Sequence, residues 1–189
     1  MNAAGTLYAS PRNTIPRFVG GLAIGAGMLA VVVMSLSALS WLLPLGQGPR
    51  NVAVAVLLGA FTFSEWVGGW HRKMSFRWLV PTEFVNMNNA DAVTRWGRAL
   101  GFGFLTDAPY AVFHVALAIP VVTGDVFLAL AAVLAFVSAR AIPYLVAPIG
   151  RNASEIGDFE IRGRSVLFRA ARLLSLAAVT VTFAWVLVP

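Results

Sequence analysis

Long apolar runs, separated by short clusters of charged and turn-forming residues, dominate this chain. They lie at residues 18–45, 51–70, 98–121, 125–147 and 167–188. Each approaches the roughly 20 residues that a helix needs to cross a hydrocarbon layer about 30 Å thick. The pattern predicts an all-α, polytopic membrane helical bundle with five transmembrane helices in a single domain, with polar connections at 71–97 and 148–166. The first run exceeds the about 7–15 residues of a secretory h-region and has no small-residue cleavage site behind it, so it reads as a span.

Within these runs the local signals differ. Gly21-Leu-Ala-Ile-Gly25 and Gly97-Arg-Ala-Leu-Gly101 both match the GxxxG pattern that lets two helix backbones approach closely. Pro109 removes a backbone donor in the third span and frees the carbonyl of Leu105, and Pro143 does the same in the fourth. Both spans are therefore expected to be kinked at proline, the third kinked or discontinuous near mid-membrane, and transporters place binding sites at such breaks. In the 71–97 connection, Val80-Pro81 marks an extended turn and Asn89-Ala-Asp91 suits the start of a helix running into the third span. Trp78 and the apolar residues around it put part of this connection on a membrane surface.

Composition sharpens the solvent assignment: 59% of the 189 residues are hydrophobic and 12% charged, against about 25% charged in a soluble domain. The absence of cysteine excludes disulfides, thiolate metal sites and thiol redox chemistry by this chain alone.

The net charge of +6 is a topology signal before it is a binding signal. If the spans alternate, every Lys and Arg except Arg50 falls on, or near, the side that holds the N-terminus and the 71–97 and 148–166 connections. Cytoplasmic loops are the ones enriched in these residues. The expected placement is a multi-pass protein of the cytoplasmic membrane with its N-terminus cytoplasmic and its C-terminus external. The partner implied is the lipid bilayer, not nucleic acid. Trp41, Trp66, Trp70, Trp96 and Trp185 fall near span ends, where interfacial aromatics belong. The same topology puts the sequon Asn152-Ala-Ser154 in the cytoplasm.

Charges deep in a span cost about 2.5–3.5 kcal/mol each on insertion scales, so they normally face a partner or water. At 1.5 Å per residue, Asp107 comes about 13 Å deep, Arg140 about 10 Å and Glu65 about 8 Å, all from the cytoplasmic side. The short turn at 122–125 makes the third and fourth spans antiparallel neighbours, which lets Asp107 and Arg140 meet. Two meanings stay open for them, a structural ion pair that fixes helix register and a polar site on a substrate or proton pathway. Glu65, if inward, favours a cation or a proton over an anion. His114, seven residues after Asp107 on a continuous helix face, extends a proton relay or packs as a neutral imidazole. His71 anchors at a basic interface. The two histidines make no metal site, the oxygen-rich stretch at 86–91 lacks calcium-loop spacing, and no cofactor is implied.

The segment from Gly97 to Pro109, GRALGFGFLTDAP, with the apolar helix after it, a Gly-Asp turn, a second apolar helix and Ala141-Ile-Pro143, resembles the second half of the cytochrome c biogenesis transmembrane proteins of the DsbD type. The resemblance covers about residues 97–150. It implies a kinked-helix scaffold that the wider superfamily uses for transport. Where that family carries its electron-transferring cysteine this chain has Asp107 or Ala108, so thiol–disulfide chemistry does not carry over. Two functions follow as alternatives: a small transporter or permease with Asp107, Arg140, Glu65 and His114 along its path, or a non-catalytic membrane subunit whose charges lock the fold. Five helices enclose little volume, so either form is expected as a homo-oligomer or with other membrane subunits. No nucleophile–base pair, phosphate-cradling loop or metal cluster is present in the sequence, and an enzyme is not expected.

Overall fold

The computed structural model describes residues 11–67, 90–103, 110–146 and 153–187. Among these residues the chain is all-helical: α1 Pro11–Trp41, α2 Gln47–Val67, α3 Ala90–Phe102, α4 Ala111–Thr123, α5 Val126–Val146 and α6 Ala153–Leu187. Two helices are long and apolar enough to cross a membrane, α1 over Thr14–Trp41 and α6 over Arg169–Val186. The apolar helices Ala111–Thr123 and Val126–Ile142 are shorter than that.

Several boundaries differ from those expected of the sequence, each for a local reason. The apolar tail 42–45 does not extend α1, because Pro44 and Gly46 end it and α2 restarts at Gln47 with Pro49 in its first turn, where a missing N–H costs nothing. The expected third span, 98–121, holds two separate helices, the discontinuous of the two forms expected. α3 stops at Phe102, before Gly103 in the left-handed region (φ 75°), and α4 begins after an extended Tyr110 (φ −113°, ψ 137°). Pro109 falls outside the described residues, as do Asp107 and positions 68–89 with Trp78 and His71. α5 stays helical through position 143. Most of the 148–166 connection is helix, the first part of α6.

The chain divides into two compact units, one drawn from Met1–Leu29, Phe76–Asp107 and Leu134–Phe168, the other from Ala30–Ser75, Ala108–Val133 and Arg169–Pro189. In the first unit both GxxxG motifs are used, and against each other. A Cβ on Gly21 or Gly25 would collide with the backbone of α3 at Thr94, Arg98 and Phe102, and one on Gly97 or Gly101 with α1 at Phe18, Leu22 and Ala26. The contacts advance in step, so α1 and α3 run parallel. Phe18 and Trp96 close the start of the crossing, their rings 4.8 Å apart.

In the second unit α2 supplies the central stripe. Its buried residues Arg50, Val54, Leu58, Phe61 and Glu65 recur every three or four positions, with Ser64 beside them. Val54, Leu58 and Phe61 pack with Ala111 and Val115 of α4 and Val179 of α6. Gly59 faces the ring of Phe183 on α6.

The outer faces are apolar. Val31, Phe127 and Trp185 are 66%, 87% and 81% exposed, and only 11% of the apolar stretch of α6 is buried. A core helix of a soluble protein would be mostly covered by its own chain, whereas here large hydrophobic side chains face outward.

Candidate functional site at the two ends of α4

The polar chemistry of the second unit gathers on one short helix. α2 and α4 are antiparallel: Glu65 meets Ala111, Phe61 meets His114, and Arg50 meets Thr123. Fifteen residues of α2 rise about 22 Å, a little more than the length of α4, so Arg50 and Glu65 reach opposite ends of it. They are 7% and 2% exposed, which makes both charges costly unless bonded.

At the start of α4 the first amides have no partners within the helix. Tyr110, the residue in the N-cap position, makes no side-chain cap. Neighbouring helices supply the acceptors instead. The Ala111 N–H donates to Glu65 Oε2 (3.1 Å) and the Val112 N–H to Ser175 Oγ of α6 (3.3 Å), while the Phe113 N–H makes a long bond to the Tyr110 carbonyl (3.4 Å). A carboxylate at this end also meets the positive pole of the helix, a gain of about 0.3–2 kcal/mol. His114 sits on the same seam. Its ring lies over Phe61 (centroids 5.8 Å, planes 14° apart) and edge-on to Phe113 (5.2 Å), with Nδ1 3.4 Å from the Tyr110 carbonyl.

At the other end the charge is reversed. Arg50 donates from Nη1 to the Thr123 carbonyl, from Nη2 to the Ser40 carbonyl (2.9 Å) and from Nε to the Leu45 carbonyl (3.3 Å). One guanidinium thereby joins the last turn of α1, the α1–α2 connection and the last residue of α4. Hydrogen bonds to a charged group contribute about 1.5–3 kcal/mol each, enough for three of them to offset burial of the cation. Gly124 completes the cap with φ 74°, and the Asp125 N–H returns to the Pro120 carbonyl (3.0 Å). A Cβ at 124 would strike the Arg50 guanidinium and the Trp41 backbone, so glycine is needed there for space as well as for conformation. The next residue, Asp125, accepts the Leu128 N–H (2.9 Å) and starts α5.

Of the residues expected to form a site, the structure places Glu65 against the Ala111 amide and His114 against the Phe61 ring, both on the seam of α2 and α4. Arg140 belongs to the first unit, where its guanidinium lies over the Phe136 ring at 5.3 Å. Asp107 and its pairing with Arg140 lie outside the described residues. The register that put His114 on one face with Asp107 assumed a continuous helix, and the non-helical Gly103 and Tyr110 remove that assumption. Sequence reasoning did not find Arg50 or Ser175. The available signal was the stripe at 50, 54, 58, 61 and 65, a buried-face periodicity bounded by opposite charges. Among the described residues no group of His, Asp or Glu is arranged to hold a metal.

Compared with protein-family models, with curated proteins and with solved structures, the chain matches none. Its function therefore rests on its own geometry.

Proposed function

We propose that this chain is a multi-pass integral membrane protein that acts as a small transporter or permease, with its polar site where α4 begins. The observation that carries the reading is the buried Glu65 carboxylate at the first amides of a helix that restarts inside an apolar body. Discontinuous helices are tolerated at membrane depth only where their freed backbone groups find partners, and transporters build ion and substrate sites from such half-helices.

The helix directions support this topology. α1 runs parallel to α3, and α2 runs opposite to both α4 and α6. The arginine-rich side sets the N-terminus in the cytoplasm and the C-terminus outside. Glu65, Ser175 and His114 favour a proton or another cation as the species moved. A homo-oligomer or additional membrane subunits would complete the enclosure.

A second reading, a non-catalytic membrane subunit, has its own observation: Arg50 shows the same burial with a purely structural set of carbonyl partners. Reconstituted vesicles separate the two. Transport predicts cation or proton flux that Glu65→Gln and Asp107→Asn each abolish while the protein stays folded in detergent. The subunit reading predicts no flux from the unaltered protein, and loss of stability or of partner recovery in the variants.

A further inference from the structure

The glycine crossing of α1 and α3 sets arginines beside one another as well as packing two helices. Gly97 meets α1 between Phe18 and Leu22, and Gly21 meets α3 between Thr94 and Arg98, so Arg17 lies level with Arg95 and Arg98 follows one turn further along. We propose that this end of the crossing binds the phosphate of an anionic phospholipid whose acyl chain lies along α1. The inference goes beyond the transport reading and shares with it only the membrane setting.

Helical angles carry the argument. At about 100° per residue, Phe18, Gly21, Leu22 and Gly25 form the face of α1 that meets α3, and Arg17 projects about a quarter turn to one side of it. On α3 the crossing face is Thr94, Gly97, Arg98 and Gly101. Arg98 sits on its edge with Arg95 beyond, and because the helices run parallel that edge is on the same side as Arg17. All three arginines are exposed. The buried residues Leu22 and Leu29 of α1 and Val93, Trp96 and Leu100 of α3 take the opposite side. Asp91, four residues before Arg95, is the acid that accompanies the arginines on this face among the described residues. Three guanidiniums against one carboxylate, brought together by two backbones in contact, leave an excess of positive charge that a phosphate diester offsets. Guanidinium forks suit phosphate oxygens two at a time.

The rest of that face of α1 fits a hydrocarbon chain. Gly20, Ile24, Gly27 and Met28 continue from Arg17 at helical spacing and are exposed, and a Cβ on Gly20 or Gly27 would meet nothing. The two absent side chains leave a shallow apolar channel beside the charged end. The apolar stretch of α1 begins at Thr14, which sets Arg17 and its neighbours at the headgroup level of that span. Inorganic phosphate would use the guanidiniums alone, whereas a phospholipid uses the charged end and the channel together.

Native mass spectrometry of the full chain in detergent, titrated with phosphatidylglycerol or phosphatidylcholine of the same acyl chains, tests the proposal. Phosphatidylglycerol should be retained in preference to phosphatidylcholine. Arg17→Gln and Arg98→Gln should each weaken that retention about fivefold, the contribution of one basic residue at an anionic surface. Gly20→Leu fills the channel without touching α3, so it should weaken retention while thermal stability stays that of the parent. Arg169→Gln and Arg172→Gln alter exposed arginines of α6 and should leave the preference unchanged. Equal retention of the two lipids by the unaltered chain overturns the proposal, and so does an equal loss from the α6 variants, which marks diffuse surface charge. Inorganic phosphate that displaces the lipid at comparable concentration overturns the choice of occupant. Vesicle flux without a lipid preference removes this site and leaves the transport reading standing, whereas a lipid preference without flux does the reverse.

Discussion

The Arg50 end and the Glu65 end of α4 answer the same physical demand in opposite ways. Both ends of a short helix expose backbone groups to an apolar interior, and both are satisfied by a charge from α2 chosen to suit the helix dipole. Arg50 spreads over carbonyls from three segments and ties them into one knot. Glu65 shares a looser end with a hydroxyl from α6 and an imidazole one turn away. The comparison teaches that burial of a charge does not by itself mark function. A permanently charged group bonded to carbonyls of three segments reads as a fastener, and a buried acid at the first amides of a helix reads as a candidate site.

Removing the fastener should have the largest effect. Arg50→Leu strands the carbonyls of Ser40, Leu45 and Thr123 in apolar surroundings, and each buried acceptor left without a donor costs about 1–3 kcal/mol. Thermal unfolding in detergent, followed by tryptophan fluorescence, should show the loss. Arg50→Lys should recover only part of it, because an ammonium cannot present the planar fork.

Gly124→Val should come next, at about 1–3 kcal/mol or more, since a side chain there meets both a left-handed backbone and the Trp41 main chain. The comparison would break if this variant were as stable as the parent, because the cap would then not depend on close approach.

At the opposite end the expected stability effects are smaller. Glu65→Gln keeps the shape and an acceptor oxygen, so it should cost about 1 kcal/mol while abolishing flux under the proposed function. Ser175→Ala removes one neutral cap and should cost about 0.5–1 kcal/mol with flux reduced rather than lost. If Glu65→Gln proved as destabilising as Arg50→Leu, both ends would be fasteners and the subunit reading would gain.

The glycine crossing of α1 and α3 offers a contrast with both ends of α4. Its two motifs are visible as residue spacing, and the structure uses each of them against the other. The caps of α4 are invisible at that level. Tyr110 is a poor N-cap residue and makes no side-chain cap, so the acceptors that α4 uses from α2 and α6 are not legible at that position.

What the amino-acid sequence determined by itself is therefore local and periodic. It set the apolar helices, the end of α3 at Gly103, the turn at Gly124-Asp125 and the buried stripe of α2, because side-chain period and backbone preference act within one or two turns. Tertiary structure decided which polar groups meet. Ala111 finds Glu65 across 46 residues, Val112 finds Ser175 across 63, and Arg50 finds Thr123 across 73. Nothing in a linear pattern ranks such pairings. They follow from the requirement that every backbone group freed by the broken helix be bonded once the chain has packed, and only the packed chain determines which side chain is near enough to do it.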